Sequence, residues 1–349
     1  MLTEYFHVDK YHPDQQIMQR AAELLKHGKL VAFPTETVYG LGANGLDAEA
    51  VAKIYQAKGR PSDNPLILHI ANQQELIPLV TKIPPNAQVL IDKYWPGPLT
   101  VILKRTNIVP DIVSGGLDTV AVRLPASTVA RELIARAGMP IAAPSANTSG
   151  RPSPTSAQAV RADLDGRIDA IIDTGVCDIG LESTVVDCTT PVPTLLRPGG
   201  ITLEMLIETL GEVEIDPALN GNSENVPRSP GMKYTHYAPS APMTLFEGKY
   251  SQVADLLLGE IKTALTAGQK VGVIVSAETA RRLPSTVVTA VYGSRHHVDE
   301  IAINLYTALR FFDDKPVDVI FTEGIAEEGL GLAVMNRLRK ASGYQIIKA

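Results

Sequence analysis

The amino-acid sequence predicts an α/β protein of two domains joined by a polar connector, and three observations carry that prediction. Helical and strand-like hydrophobic patterns alternate through residues 1–211. A stretch rich in Pro, Gly, Asn and Ser, with few apolar positions, then interrupts them over residues 212–242. From Met243 the alternation restarts and runs through 243–349, enough for a small three-layer α/β domain. A chain of 349 residues is also too long for one ordinary core and fits two.

The elements of the first domain follow in order. Residues 14–27 place Ile17, Ala21, Leu24 and Leu25 at helical spacing and stop at Gly28. A short apolar strand from Lys29 to Phe33 breaks at Pro34, and Asp47 has the character of an N-cap before Val51, Ile54 and Tyr55. A buried-type strand at Leu66–Ile70 precedes a helix near Asn86–Tyr94 and the turn Pro96-Gly97-Pro98. Strands fit Leu99–Leu103 and Val120–Arg123, and Ser127 caps a helix that ends at Gly138. Ile141–Ala143, Ala170–Ile172, Thr184–Asp187 and Thr194–Leu196 read as further strands, and Thr202–Leu210 closes the domain as a helix. In the second domain a strand from Met243 is followed by a helix, the strand Val271–Ser276, a helix, a further strand, a helix at Asp299–Phe311, the strand Val317–Phe321 and a final helix.

Composition bounds the function. Hydrophobic residues make up 45% and charged residues 20%, the balance of a globular protein in water. No apolar run approaches the roughly 18 residues that cross a bilayer, and the opening MLTEYFHVDKYHPDQ lacks the pattern of a secretory signal. Two cysteines, Cys177 and Cys188, suggest idle thiols in a reducing cytoplasm. A net charge of −6 argues against a tightly held nucleic-acid partner and favours a small charged substrate.

Five polar clusters sit at strand ends or in loops, where a rigid scaffold presents function. Pro34-Thr35-Glu36-Thr37-Val38-Tyr39-Gly40-Leu41-Gly42 follows a strand and sets hydroxyls and a carboxyl beside glycines, which suits a small polar ligand or a capped turn. In Lys58-Gly59-Arg60-Pro61-Ser62-Asp63-Asn64-Pro65, two cations flank a glycine. They repel unless an anion lies between them, and phosphate suits both; the alternative is a pair complementing a helix C-terminus. Arg123 lies inside the apolar strand Thr119-Val120-Ala121-Val122-Arg123, so it requires a carboxylate, either from a ligand or from an internal Asp or Glu. Ala143-Pro144-Ser145-Ala146-Asn147-Thr148-Ser149-Gly150-Arg151-Pro152-Ser153 can offer backbone N–H groups to phosphate, although it is not a Walker A loop. The fifth cluster is Leu181-Glu182-Ser183-Thr184, followed by Arg197-Pro198-Gly199. The connector adds Ser229-Pro230-Gly231-Met232-Lys233-Tyr234-Thr235-His236-Tyr237-Ala238-Pro239, dense enough in aromatic and basic groups to act as a lid.

Taken together, PTETVYGLG, AKGRPSDNPL, the strand with Arg123, APSAN-SG and STVVD resemble the YrdC-like threonylcarbamoyl-AMP synthase family. The SPGMKYTHYAP segment and the second domain resemble its two-domain branch. The resemblance implies a twisted, mixed N-terminal sheet with a concave cavity and a smaller C-terminal Rossmann-like domain. It implies that L-threonine, bicarbonate or CO2, and ATP give L-threonylcarbamoyladenylate and pyrophosphate. A separate transferase would then pass the threonylcarbamoyl group to a tRNA adenosine beside the anticodon, with at most weak direct tRNA contact and no membrane. Carried over residue by residue, Thr35, His69, Arg123 and Ser183 would hold threonine. Lys58, Arg60 and Asn64 would neutralise the triphosphate, the two cations acting in catalysis. Thr119, Ala143, Ser145, Ser153 and Arg197 would line the nucleotide pocket, and Tyr237 with His236 nearby would close over it. Mg2+ would arrive with ATP rather than in a dedicated protein site. Two rivals stand beside this: a non-catalytic RNA-binding module, and a related maturation enzyme using carbamoyl phosphate.

Overall fold

The computed structural model describes residues 2–220 and 236–349. Described residues up to 220 form one compact unit, except 150–152 and 179–181, which belong with 236–349 in a second. Residues 221–235, which hold most of the connector motif from Ser229 to Thr235, lie outside the described residues.

The first unit opens with β1 (Glu4–His7), α1 (Gln15–Lys26), β2 (Val31–Phe33), β3 (Gly40–Asn44), α2 (Ala48–Lys58) and β4 (Ile67–His69). It continues through α3 (Pro85–Tyr94), β5 (Leu99–Lys104), α4 (Asp111–Ser114), β6 (Thr119–Arg123) and α5 (Thr128–Ala137). Then come β7 (Ile141–Ala142), α6 (Ala157–Leu164), β8 (Ala170–Asp173), β9 (Thr184–Asp187), β10 (Thr194–Arg197), α7 (Leu203–Leu210) and β11 (Glu214–Ile215). The strands make one sheet of eleven, ordered β1-β8-β2-β3-β7-β4-β6-β5-β9-β10-β11. It is mixed: β4 and β6 run parallel, whereas β5 and β6, and β9 and β10, run antiparallel.

Local chemistry explains where the helices begin. The side chains of Asp14, Asp47, Ser127 and Thr202 each accept from backbone N–H groups in the first turn of the helix that follows, satisfying donors without an intrahelical partner. The apolar faces of α1 and α5 pack on one sheet face, where Met18, Leu25, Leu133 and Ile134 meet Val31, Phe33, Ile141 and Ile172. Farther along the sheet, Ile67, Ile102, Ala121, Val185 and Leu196 form a second cluster drawn from strands alone.

Three departures from the sequence reading have physical causes. Gly40–Gly42, read above as part of a ligand loop or capped turn, belongs instead to the buried strand Gly40–Asn44. A Cβ on Gly42 would lie 2.9 Å from both the Phe33 ring and Ile141, so glycine marks a close approach rather than a bend. β1 is a half-exposed edge with little apolar contrast to betray it. The connector is not irregular throughout, since Glu214–Ile215 pairs with β10.

The second unit contains β12 (Met243–Glu247), α8 (Tyr250–Thr266), β13 (Val271–Ser276), α9 (Ala277–Ala280) and β14 (Val288–Gly293). It ends with α10 (Val298–Arg310), β15 (Val319–Glu323), α11 (Gly331–Ala341) and β16 (Ile346–Lys348), a strand where the sequence reading stopped at a helix. Its sheet is wholly parallel, ordered β14-β13-β15-β12-β16. Among the described residues no helix is long and apolar enough to cross a membrane.

Helix α2 ends on Lys58, so its first turn matters to the site below. Asp47 Oδ1 accepts from Glu49 N at 2.9 Å and Ala50 N at 3.2 Å. Asp47→Ala is expected to cost about 1 kcal/mol, read as a lowered urea midpoint with an unchanged m-value.

Candidate functional site

Strand register creates the site. His69 on β4 lies opposite Arg123 on β6, Arg123 opposite Thr100 on β5, Thr100 opposite Val185 on β9, and Val185 opposite Arg197 on β10. Residues paired in this way share a sheet face. Ser183, two residues before Val185, falls on the same face by the period of two. Four polar side chains from four strands therefore form a row, continued by Ser183. It is the face that α1 and α5 cover over β8, β2 and β7, since Ile141 lies opposite His69.

Arg123 is 3% exposed and is held by three bonds. Its Nε donates to Gly97 O at 3.2 Å, Nη1 to Thr37 Oγ1 at 2.9 Å, and Nη2 to Glu36 Oε1 at 2.6 Å. The carboxylate that an arginine in an apolar strand requires is thus internal, and it is Glu36. A guanidinium has five N–H groups, so one remains on each terminal nitrogen among the described residues. The other carboxylate oxygen, Glu36 Oε2, is buried and has no hydrogen-bond partner there.

Thr35 builds the turn that delivers Glu36. Its hydroxyl donates to Val38 O at 2.6 Å and accepts from the backbone N–H groups of Thr37 and Val38, each at 3.2 Å. Thr37 Oγ1 lies 2.8 Å from it. The Thr35 hydroxyl is therefore spent within the loop, as in a capped turn, and the carboxylate is what the loop presents.

Ser183 and Arg197 form the far end of the row. Ser183 Oγ lies 2.8 Å from Thr100 Oγ1 and accepts from Arg197 Nη2 at 3.1 Å, while Arg197 Nε donates to Ser183 O at 3.0 Å. The turn after Arg197 presses on this loop. A Cβ on Gly199 would meet Glu182 O and Thr184 N at 2.4 Å, so no larger residue fits there. Burial, followed by the charges of Arg123 and then Arg197, pushes His69 down to about 3, so it is a neutral imidazole in this site. Its Nδ1 lies 3.2 Å from Ile67 O.

The two cations at the end of α2 are solvated by carbonyls. Lys58 is buried, and its Nζ donates to Ser145 O and Asn147 O. Its own carbonyl accepts from Ser149 N at 2.9 Å, so Lys58 grips the loop 145–149 at both ends. Arg60 Nη2 donates to Asn64 O at 3.3 Å and Pro65 O at 3.2 Å. Their mutual repulsion is thus relieved by backbone dipoles, and the sequence argument that an anion must lie between them is not required. Asn64 is buried, with Oδ1 unpartnered among the described residues.

The remaining expected residues have the following surroundings, each within its own unit. Ser145 Oγ donates to Asn147 Oδ1, and Ser153 Oγ to Glu182 Oε1, each at 2.5 Å. Ala143 turns its methyl into the helix-covered core, so its main chain is what it offers a ligand. Thr119 pairs with Lys104 at the opposite end of β6 from Arg123, roughly 13 Å away at about 3.3 Å per residue. Tyr237 belongs to the second unit, where its ring lies 5.3 Å from that of Tyr306 and 5.6 Å from that of His236. Its φ of 65° is a left-handed backbone that a tyrosine seldom adopts. Cys177 and Cys188 are both buried and free, and burial raises both thiols, Cys188 to about 12.

Sequence reasoning missed Glu36, Thr37, Thr100 and Glu182 as site residues. Thr100 had a usable signal, a hydroxyl inside the apolar run Leu99–Lys104, of the same kind that exposed Arg123. Glu36 and Glu182 stood inside quoted motifs, but only register shows which carboxylate meets which cation.

Known proteins resemble this chain over nearly its whole length. A family profile for Sua5, YciO and YrdC proteins, described as "Telomere recombination", matches residues 23–199. One described as "Threonylcarbamoyl-AMP synthase, C-terminal domain" matches 201–343. The threonylcarbamoyl-AMP synthase of Pyrococcus abyssi is 53% identical over 328 residues, covering 94% of each chain. That of Bacillus subtilis is 48% identical, covering 96% of this chain and 95% of its own. A crystal structure of P. abyssi Sua5 complexed with L-threonine superposes with a TM-score of 0.95 at 50% identity, covering 99% of this chain and 100% of that one. Escherichia coli YciO is similar over 57% of this chain and 96% of its own, with a TM-score of 0.52 at 25% identity.

The low pKa of His69 carries a stability signature. The folded value is about 3 and the unfolded value about 6.5, so the unfolded chain binds the extra proton between them. The contribution is complete above about pH 6.5 and is lost as pH falls towards 3. Between pH 7 and pH 5 it should fall by about 2 kcal/mol. His69→Gln should therefore flatten the wild-type slope of unfolding free energy over that interval by this amount, measured by urea titration at each pH.

Proposed function

The chain belongs to the threonylcarbamoyl-AMP synthase family of enzymes, and we propose that it forms L-threonylcarbamoyladenylate and pyrophosphate from L-threonine, bicarbonate or CO2, and ATP. One observation carries the reading to this chain's own residues. Arg123, fixed by three bonds, keeps one N–H on each terminal nitrogen, donors that a carboxylate can accept from. The α-carboxylate of threonine is the group it would hold, with His69 and Ser183 in the same row beside it. The P. abyssi relative crystallised with L-threonine supports that choice of amino acid.

The chemistry follows from charge. Threonine reacts through its amine once the ammonium has given up a proton; the new C–N bond gives a carbamate, with water as the other product from bicarbonate or a proton released to solvent from CO2. A carbamate oxygen then attacks the α-phosphorus of ATP, and the bond to the β,γ-pyrophosphate breaks, so pyrophosphate leaves with the electron pair. Attacker and target are both anionic, so the site must screen repulsion and hold an in-line geometry. Arg60 is the guanidinium that would face the phosphates. Lys58 contributes its charge while clamping the loop of Ser145, which with Ser153, Arg197, Thr119 and the main chain of Ala143 would line the nucleotide pocket. Mg2+ carried by the phosphates adds screening when bound, and the buried, unpartnered Asn64 Oδ1 suits the metal or one of its waters. The carbamate and the mixed anhydride must be kept from water, the role expected of Tyr237. The product is an activated threonylcarbamoyl group, and a separate transferase acting on tRNA adenosine beside the anticodon would consume it.

Purified protein with ATP, Mg2+ and bicarbonate should release pyrophosphate only when L-threonine is added, and much less with L-serine. Release without threonine, or none from folded protein that binds ATP, would sink the reading. Arg60→Ala should lower turnover roughly 10²-fold with little change in threonine affinity. Lost affinity with turnover intact would remove Arg60 from the phosphate role.

A further inference from the structure

We propose that Glu36 receives the ammonium group of the amino-acid substrate and takes its proton, making it a catalytic residue of the carbamate-forming half-reaction. The assignment rests on the reading above that L-threonine is the substrate and that Arg123 holds its carboxylate.

The hydrogen bonds of one buried side chain do not balance. Glu36 is 7% exposed, in a loop whose neighbours are already satisfied. Its Oε1 is bound by Arg123, yet Oε2 is buried with no donor among the described residues. Leaving a buried charged acceptor unmet is costly, and such atoms are uncommon in folded proteins. The Cys177 thiol feels the charge of Glu36, which helps raise it, but no hydrogen bond joins the two. What Oε2 lacks is a donor, and a cationic one satisfies it best.

An α-amino acid supplies that donor in the right place. Its carboxylate and its ammonium sit on one carbon, so a molecule whose carboxylate rests on the two remaining Arg123 N–H groups carries its ammonium within a few ångströms of them. Glu36 is bonded to that same guanidinium at 2.6 Å. Arg123 and Glu36 thus form a complementary pair for a zwitterion. No other acidic side chain among the described residues bonds Arg123.

The proton balance closes. The ammonium transfers one proton to Glu36, giving a neutral amine and a neutral carboxyl group. The amine lone pair then forms the C–N bond. With bicarbonate as the carbon source, carbamate and water result, with no further proton released. After the adenylate departs, the carboxyl group returns its proton to solvent and again faces Arg123 as an anion.

The test compares L-threonine with its amine-free analogue 2,3-dihydroxybutanoate, binding of each being measured by calorimetry. Wild type should bind L-threonine at least tenfold more tightly than the hydroxy acid. Glu36→Gln, which keeps an oxygen for Arg123 but loses the charge, should weaken L-threonine about tenfold or more while leaving the hydroxy acid unchanged. Equal losses for both ligands would mean that Glu36 acts only through Arg123, and no loss for either would also overturn the assignment. If Glu36→Gln does not fold, equal wild-type affinities for the two ligands overturn it, and a tenfold preference supports it. Turnover separates the proton step: at saturating L-threonine the variant should gain about tenfold per pH unit below the amine pKa, wild type much less. Parallel profiles would leave Glu36 no role in proton transfer. Wild type that binds neither ligand fails the substrate reading itself, and the assignment falls with it.

Discussion

The site depends on a single buried ion pair. Arg123 and Glu36 are each more than nine-tenths buried, and two charges withdrawn from water must recover a desolvation penalty of several kcal/mol each. Attraction at 2.6 Å recovers part of it, and the bonds to Thr37 and Gly97 recover more. An apolar pair of similar volume would often be as stable, so stability alone does not account for these charges. Their geometry does. The pair fixes a guanidinium plane at the end of β6 and pulls the loop after β2 against it, joining strands that are four places apart in the sheet. Removing either partner would leave the other as an uncompensated buried charge, at a cost of about 3–5 kcal/mol.

A different economy governs the cations on α2. Lys58 and Arg60 are two residues apart and would repel in a bare loop, yet each is surrounded by carbonyl oxygens. Lys58 grips Ser145 and Asn147 through its ammonium and Ser149 through its carbonyl, so the small-residue loop after β7 is pinned to the end of α2. A lysine that organises backbone serves a nucleotide site indirectly as well as by charge, because the loop can face phosphate only if its backbone is fixed beforehand.

Local signals in the sequence were enough for most helices and strands. Asp47, Ser127 and Thr202 announce helix starts because an N-cap is a short-range contact, readable three residues at a time. Arg123 announced itself by being charged in an apolar strand. The partner of Arg123 was not legible, because 87 residues separate it from Glu36 and only the sheet order brings them together. The hydroxyls of Thr35 and Thr37 look alike in sequence, yet one is consumed by its own turn and the other meets the guanidinium. Gly42 misled for a related reason. A glycine that makes room for Phe33 and Ile141 is written identically to one that makes a bend.

Two buried glutamates show how hydrogen-bond accounting separates structure from function within one chain. Glu323 ends β15 in the second unit, beside Ser276 at the end of β13, where the connections that follow leave in opposite directions across the sheet. Open parallel sheets commonly bind ligands at such a point. Here Glu323 Oε1 accepts from Ser276 N at 2.7 Å and Ser276 Oγ at 2.6 Å, and Oε2 accepts from Thr279 Oγ1 at 2.7 Å. Both oxygens are satisfied by the unit's own donors, so the carboxylate already occupies the position where an open sheet would receive an anion. Glu36 has the same chemistry and similar burial but only one satisfied oxygen. A fold can afford that deficit where something outside the chain supplies the missing donor, and the orphaned oxygen lies beside the two N–H groups that Arg123 has left. Fold type alone would have sent the search to the parallel sheet of the second unit; the unmet hydrogen bond sends it to the mixed sheet of the first.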